Sequence, residues 1–344
     1  MNNVTDFIFK TWTSTRKTKV SPKGWHSGNA PCCVHNGETK DTRGRGGVKI
    51  DNTGSGGIVY SCFNCGFKTG YKPGQKLYHK TRKLLRWMGA NESDIQRMVI
   101  ESLRVRETQI FVEPEEKEFE EINFKRRPLP KEALSFEEWV TWCELNDSEY
   151  PAYLIDAADM AAERFGENVP DLYWTPNKEK TMNKRLIIPF TWKGKIVGYT
   201  ARRLFDNSSI PKYLMEVDSD YVYGTDNLIK ESNFVLVFEG PIDAILMNGV
   251  AVLSNQISEE QADLIESLGK DVIVVPDLNH TGLPLINSAI DYGWSVSFPE
   301  WDPEVKDAGE AFQKYGKLFT LKSIINNVQT SKLKIELQKR KINE

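Results

Sequence analysis

"VLVFEGPIDAILM", residues 235–247, reads as an apolar strand with Glu239 at its C-terminal end, then a glycine turn and a helix. Two later stretches repeat the pattern of a strand ending in a carboxylate. "IVVPDLNHTG" (273–282) puts Asp277 after a strand with Asn279 two residues on, and "EVKDAGEAF" (304–312) puts Asp307 in a following loop. The short apolar runs "FVLVF" (234–238), "GVAVLS" (249–254), "DVIVVPD" (271–277) and "WSVSFPE" (294–300) alternate with helical segments at 241–248, 258–268 and 282–292. Strands alternating with helices imply a mostly parallel sheet with right-handed crossovers. In such a sheet the strand C-termini share one edge, so carboxylates from separate strands converge there. Hard oxygen ligands suit Mg²⁺ and its coupling to phosphates. A single acidic residue after a strand would mean only loop solvation; three on one edge point to chemistry.

The net charge of −3 hides a partition along the chain. Residues 1–106 hold 19 Lys and Arg against 7 Asp and Glu, whereas residues 107–180 hold 8 against 19. Residues 181–214 return to 7 against 1, just ahead of the acidic strand ends. Such alternation suits a protein with one face toward a polyanion and another that collects carboxylates. Within the basic block, "RLIIPFTWKGKIVGYTARRL" (185–204) reads as two strands joined by a Lys-Gly turn. Two amphipathic helices are expected near 135–145 and 150–165, and two more between Tyr78 and Arg106, separated at Gly89. The charged, proline-terminated stretch 113–130 reads as a linker, and "SKLKIELQKRKINE" at the end as a basic helical tail. No apolar run approaches the ~20 residues of a membrane span. The first residues lack the basic-then-apolar order of a secretory signal, which places the protein in the cytoplasm.

There cysteines stay reduced, and a clustered set favours metal over disulfides. Four of five cysteines lie in "PCCVHNG" (31–37) and "SCFNCG" (61–66). Cys62-x2-Cys65 has the spacing of a zinc knuckle, with Gly66 to close the turn. Cys32-x2-His35 matches that spacing and Cys33-x-His35 does not, so the expected ligands are Cys32, His35, Cys62 and Cys65, with Cys33 a bystander. A filled set of four implies one structural Zn²⁺ in a ribbon that otherwise has too few large apolar residues for a core.

"EGPID" with "DLNHTG" and "KDAGE" resembles the TOPRIM domain shared by primases, topoisomerases and some nucleases. The preceding segment narrows the choice. Arg185 to Pro189, Gly198 to Arg202 and Pro211 to Leu214 follow, in order, the R-(φ)3-P, G-x-x-x-R and P-K-Y-L motifs of bacterial-type (DnaG-like) DNA primases. With the N-terminal ribbon, the resemblance covers about residues 30–315, and the size looks most like the form that tailed phages encode as a separate chain.

The resemblance implies a mixed α/β fold in five parts. These are a zinc ribbon (1–72), a helical and charged linker (73–130), an α+β subdomain (131–230), a TOPRIM domain (231–315) and a helical basic tail (316–344). It implies synthesis of RNA primers on single-stranded DNA from ribonucleoside triphosphates during phage replication. Glu239, Asp277 and Asp307 would hold Mg²⁺ or Mn²⁺ with Asp243 in support, while Arg185, Arg202, Arg203 and Lys212 would meet triphosphate and template. The ribbon would help select the template, with Trp25, Tyr60 and Phe63 as stacking candidates or as its small core. A hexameric replicative helicase is the implied partner, with the segment after Lys317 as the expected contact. Asn279 stands where the family has a second Asp, which weakens one metal position or calls on Asp302 or Glu304. The His35–Cys62 spacing is also longer than the family's, leaving "DTRGRGGVKIDNTGSGG" (41–57) as a basic glycine-rich loop. The competing readings are a TOPRIM nuclease and a zinc-ribbon DNA-binding accessory factor with a degenerate sheet; a topoisomerase would need a further domain with a nucleophilic tyrosine.

Overall fold

Alternation along "IVYSC" turns Ile58, Tyr60 and Cys62 inward and leaves Val59 exposed, the period-two signature of a strand with one buried face. The computed structural model describes residues 3–15, 18–50, 56–108, 123–166, 169–206, 209–229 and 231–342. The chain forms two units, Met1–Glu118 and Phe119–Glu344.

The first unit begins with α1 (Asn3–Thr15), followed by β1 (Lys19–Val20), β2 (His26–Gly28), β3 (Gly46–Ile50), β4 (Ile58–Cys62) and β5 (Lys68–Tyr71). These strands make an antiparallel sheet in sequential order. Two helices follow, α2 (His79–Trp87) and α3 (Glu92–Thr108), parted at Gly89 with φ +99° as the sequence suggested. They are not linker. Leu84 and Leu85 of α2 and Ile95 and Met98 of α3 share one core with Val4, Ile8 and Trp12 of α1 and with Val48, Ile58 and Tyr60 of the sheet. Trp12 also donates its indole N–H to the His26 carbonyl at 2.7 Å. The sheet thus shares with three helices a core larger than its own strands supply. Part of the expected glycine-rich loop is strand β3, anchored by Asp41. This buried carboxylate accepts from the backbone N–H of Ala30 (2.9 Å), Arg43 (3.0 Å) and Arg45 (2.8 Å) and from Arg45 Nε (3.1 Å). These donors outweigh burial and bring its pKa down to about 2. Residues 51–55 of that stretch, and 109–122 of the expected linker, lie outside the described residues.

The second unit holds two sheets. Phe124, expected in the linker, is packed against Trp192 and Tyr221 at ring distances of 5.0 and 5.3 Å. Asp218 accepts from Lys125 N–H at 3.1 Å and pairs with Arg127. After β6 (Leu134–Ser135) come α4 (Phe136–Leu145) and α5 (Ala152–Phe165), both close to expectation, then β7 (Tyr173–Trp174), β8 (Arg185–Trp192), β9 (Lys195–Arg203) and β10 (Tyr213–Glu216). The order is β10-β9-β8-β7-β6, antiparallel throughout. Lys193 and Gly194 form the expected turn with φ of 50° and 70°, the left-handed pair that fits strand twist. Both their N–H groups are accepted by Asp226, at 2.9 and 3.0 Å. Gly198 is needed where β10 ends, because a Cβ there would lie 2.3 Å from the Glu216 carbonyl oxygen.

The third sheet is built from β11 (Phe234–Phe238), α6 (Pro241–Met247), β12 (Val250–Ala251), α7 (Glu259–Ser267), β13 (Asp271–Val274), α8 (Leu283–Tyr292) and β14 (Ser295–Ser297). It continues through α9 (Ala308–Tyr315), α10 (Lys317–Asn326), β15 (Val328–Gln329) and α11 (Lys332–Ile342). The order is β12-β11-β13-β14-β15, with all pairings parallel except β14–β15. The expected tail is therefore part of this fold: β15 closes one edge, and Ile324 and Ile335 are buried in the core. The whole is a mixed α/β protein. Among the described residues, no helix is long and apolar enough to cross a membrane.

Candidate active site and metal centre

The cysteines come together, with one change of membership. A 3₁₀ turn over Cys33–His35 is closed by the His35 N–H on the Cys32 carbonyl at 3.0 Å. The sulfurs of Cys32, Cys33, Cys62 and Cys65 all lie within 4.8 Å of one another. The closest approaches are Cys32–Cys65 at 3.3 Å and Cys33–Cys62 at 3.6 Å. His35, expected as a ligand, lies outside this cluster. It is exposed, with its ring stacked on Trp87 at 4.9 Å and 4° between planes. Ligand spacing in sequence takes no account of the local turn, and Cys33 stands in the cluster where His35 was expected. Asn64 and Asn36 amides reach the Cys33 and Cys65 sulfurs at 3.4 and 3.5 Å, and the Tyr60 hydroxyl lies 3.1 Å from Cys32. Burial pushes the Cys32 thiol up, and the Cys33 thiol to about 11. Four crowded thiols become thiolates together only around a cation, and an all-sulfur set could hold a metal ion such as zinc. Of the stacking candidates, Tyr60 is core at 1% exposed, Phe63 stands out at 84%, and Trp25 is half-buried.

The acidic residues meet at the edge of the third sheet. Parallel register sets Val237 against Val274, so Glu239 and Asp277 leave adjacent strands side by side. The Asp277 N–H donates to the Glu239 carboxylate. Asp277 sits against Gly282, where a Cβ would lie 2.2 Å from the Asp277 carbonyl oxygen; only glycine allows that turn. Asp307 caps α9, accepting from Glu310 N–H at 2.7 Å. Asp243 on α6 accepts from Gly309 N–H at 2.7 Å, which ties α6 to the start of α9. Burial and mutual repulsion push the carboxyls of Glu239, Asp277 and Asp243 up. Glu239 rises to about 7 through burial and then Asp277, and Asp277 to about 6 through burial and then Asp307. Asp243 rises to about 8 through burial, Asp307 and Asp277. Oε1 of Glu239 is buried with no hydrogen-bond partner among the described residues. An orphaned carboxylate oxygen amid like charges is the setting a divalent cation relieves, so these residues fit such an ion.

Cations face this edge. Lys212 acts on both Asp277 and Asp307. Partial desolvation, then Arg202, Lys306 and Arg164, hold its ammonium below the usual lysine range. Lys306 pairs with Glu310 at 2.9 Å. Lys306 and Arg164 are not among the residues the sequence motifs mark. Lys306 adjoins Asp307 and was open to discovery, whereas Arg164 reaches the site from α5 with no local signal.

Other expected residues stand elsewhere. Arg185 does not line the basic face: it is 0% exposed and donates through Nη1 to the carbonyls of Ala201 (3.1 Å) and Pro211 (3.0 Å). Arg202 lies over the Tyr213 ring at 5.4 Å, and Arg203 donates to the Ile210 carbonyl at 2.8 Å. The Asn279 side-chain oxygen is engaged in its own turn, accepting from Thr281 N–H at 2.7 Å. Asp302 and Glu304 are held by Lys314 at 2.6 and 2.5 Å.

Fold and site define a mixed α/β protein with a carboxylate cluster on a parallel sheet edge, cations opposite it, and a separate four-cysteine centre. By sequence the chain is related to DNA primases. It is 29% identical over 163 residues to the DNA primase of Aquifex aeolicus, covering 42% of this chain and 32% of that protein. It is 30% identical over 166 residues to the DNA primase of Halalkalibacterium halodurans, covering 42% and 27%. The match thus spans about a third or less of the length of these relatives. Among solved structures, the Escherichia coli primase catalytic core aligns with a TM-score of 0.37 at 22% identity, over 54% of this chain and 63% of that one. No family model matches the chain.

Proposed function

We propose that this protein is a DNA primase that makes short RNA primers on single-stranded DNA from ribonucleoside triphosphates. The observation that carries this reading is the convergence of Glu239, Asp243, Asp277 and Asp307 on one sheet edge facing Lys212. Sequence relatedness to DNA primases supports it from an independent side. Glu239, Asp277 and Asp307 would hold Mg²⁺ or Mn²⁺, which when bound neutralises charge at the transferred phosphate. Asp243 keeps the Asp307 turn in place through Gly309. Lys212, with Arg202, Lys306 and Arg164 near it, supplies positive charge for a triphosphate. Asn279, with its oxygen committed to Thr281, leaves the metal count to the carboxylates. Cys32, Cys33, Cys62 and Cys65 would hold one structural Zn²⁺, and their unit, rich in Lys and Arg, would meet the template. Phage origin and a hexameric helicase partner belong to the same proposal.

The test is primer synthesis by purified protein on single-stranded DNA with labelled ribonucleotides and Mg²⁺. Short RNA products that need Glu239 support the reading. Cleavage of the DNA without synthesis would replace it with a nuclease, and binding alone with an accessory factor.

A further inference from the structure

The segment that carries Lys212 is held by three successive carbonyls. Arg203 Nη1 donates to the Ile210 carbonyl at 2.8 Å, Arg185 Nη1 to Pro211 at 3.0 Å, and the Arg203 N–H to Lys212 at 3.0 Å. The same Arg185 nitrogen donates to the Ala201 carbonyl of β9 at 3.1 Å, so one guanidinium joins the strand to the segment beside it. Arg185 is fully buried, and its Nε has no partner among the described residues. No carboxylate pairs with it among the described residues, and its charged neighbour is Arg203, of like sign. A buried cation without a counter-ion is costly, and an apolar side chain would suit a strand that continues Leu-Ile-Ile. No substrate reaches a side chain with no exposed surface. What the guanidinium does is fix the Pro211 carbonyl, one residue from the ammonium that faces Asp277 and Asp307.

We infer that Arg185, with Arg203, is a positioning residue for Lys212: it never touches nucleotide, and it sets where the Lys212 ammonium stands for the incoming triphosphate. The inference rests on the primase reading for the identity of that ligand. A charge held in place in advance binds an anionic triphosphate better than one that must first be ordered, so loosening residues 210–212 should weaken nucleotide capture before it slows chemistry.

A double-mutant cycle tests this, with Arg185→Leu, Arg185→Lys, Lys212→Ala and Arg185→Leu/Lys212→Ala. The readouts are ATP affinity with Mn²⁺ and the kcat and KM of primer synthesis. Arg185→Leu should weaken ATP binding about tenfold, the scale of one lost charged hydrogen bond, with KM rising more than kcat falls. Arg185→Lys, which keeps the charge but cannot bridge two carbonyls in the same plane, should recover part of the loss. In the Lys212→Ala background, Arg185→Leu should have no further effect. Independent, multiplying effects would overturn the inference, as would Arg185→Leu with unchanged ATP affinity. If Arg185→Leu does not fold, the same non-additivity is required of Arg185→Lys. Wild-type protein that binds ATP yet makes no RNA would sink the primase reading alone, and the affinity cycle would still decide the role of Arg185. Wild-type protein that does not bind ATP would overturn both.

Discussion

If the four sulfurs hold the zinc proposed for them, Cys33→Ser should strip it from the N-terminal unit, and His35→Ala should not. Cys33 is buried with its sulfur 3.6 Å from Cys62, whereas His35 is exposed and stacked on Trp87. Structural zinc binding is worth on the order of 10–16 kcal/mol, so one of four thiolates carries about 3 kcal/mol, roughly a hundredfold in affinity. Removing the His35 ring costs only the stack, about 1 kcal/mol of stability. Zinc per chain is measured after dialysis against graded chelator, with a thermal melt beside it. Wild type and His35→Ala should retain one zinc at chelator levels that empty Cys33→Ser, and Cys33→Ser should lose cooperative melting of the first unit. Zinc lost by His35→Ala and kept by Cys33→Ser would refute the assignment of the four sulfurs.

Three further outcomes follow from the same structure. Asp41 has its pKa lowered from 3.8 to about 2, so its ionised form contributes stability that is complete above the unfolded value and is lost progressively as pH falls from there through about 2. Asp41→Asn should therefore speed hydrogen exchange of the β3–β4 amides by the equivalent of about 2 kcal/mol, equally at pH 8 and pH 5; a gap that changes between them contradicts the linkage. Gly282→Ala forces a Cβ to 2.2 Å from the Asp277 carbonyl and should cut primer synthesis about a hundredfold with the fold retained; near-normal synthesis would show that the Asp277 turn can relax. Arg127→Ala removes the pair with Asp218 and should lower the chemical-denaturation midpoint of the second unit, while an unchanged midpoint would show that the Lys125 N–H alone secures Asp218.

What was legible in the sequence was what local chemistry controls. The run 234–238 is continuous apolar and became β11 at those residues, and Lys193-Gly194 carried its turn in its own backbone preferences. The acidic residues were found because a parallel sheet sends strand ends to one edge, a rule that needs no distant contact. Failures came where partners far apart in the chain decide. Helix α1 was not foreseen, and its reason to exist is a core shared with α2, α3 and the strands. Arg185 looks like any surface cation in a basic block until Ala201 and Pro211 close over it. The last residues looked like a solvated tail because β15 is two residues long and pairs with a strand about thirty positions earlier. At Cys32-Cys33 the count of intervening residues was right and the turn was wrong.

The central claim is that the carboxylates on the third sheet copy template into RNA. It is tested most directly by comparing wild type with Glu239→Gln in primer synthesis on single-stranded DNA, after circular dichroism shows both folded. Glutamine keeps the size of Glu239 and removes the charge beside Asp277, so the account predicts short RNA from wild type and essentially none from Glu239→Gln. Equal RNA yield from the two proteins would contradict it.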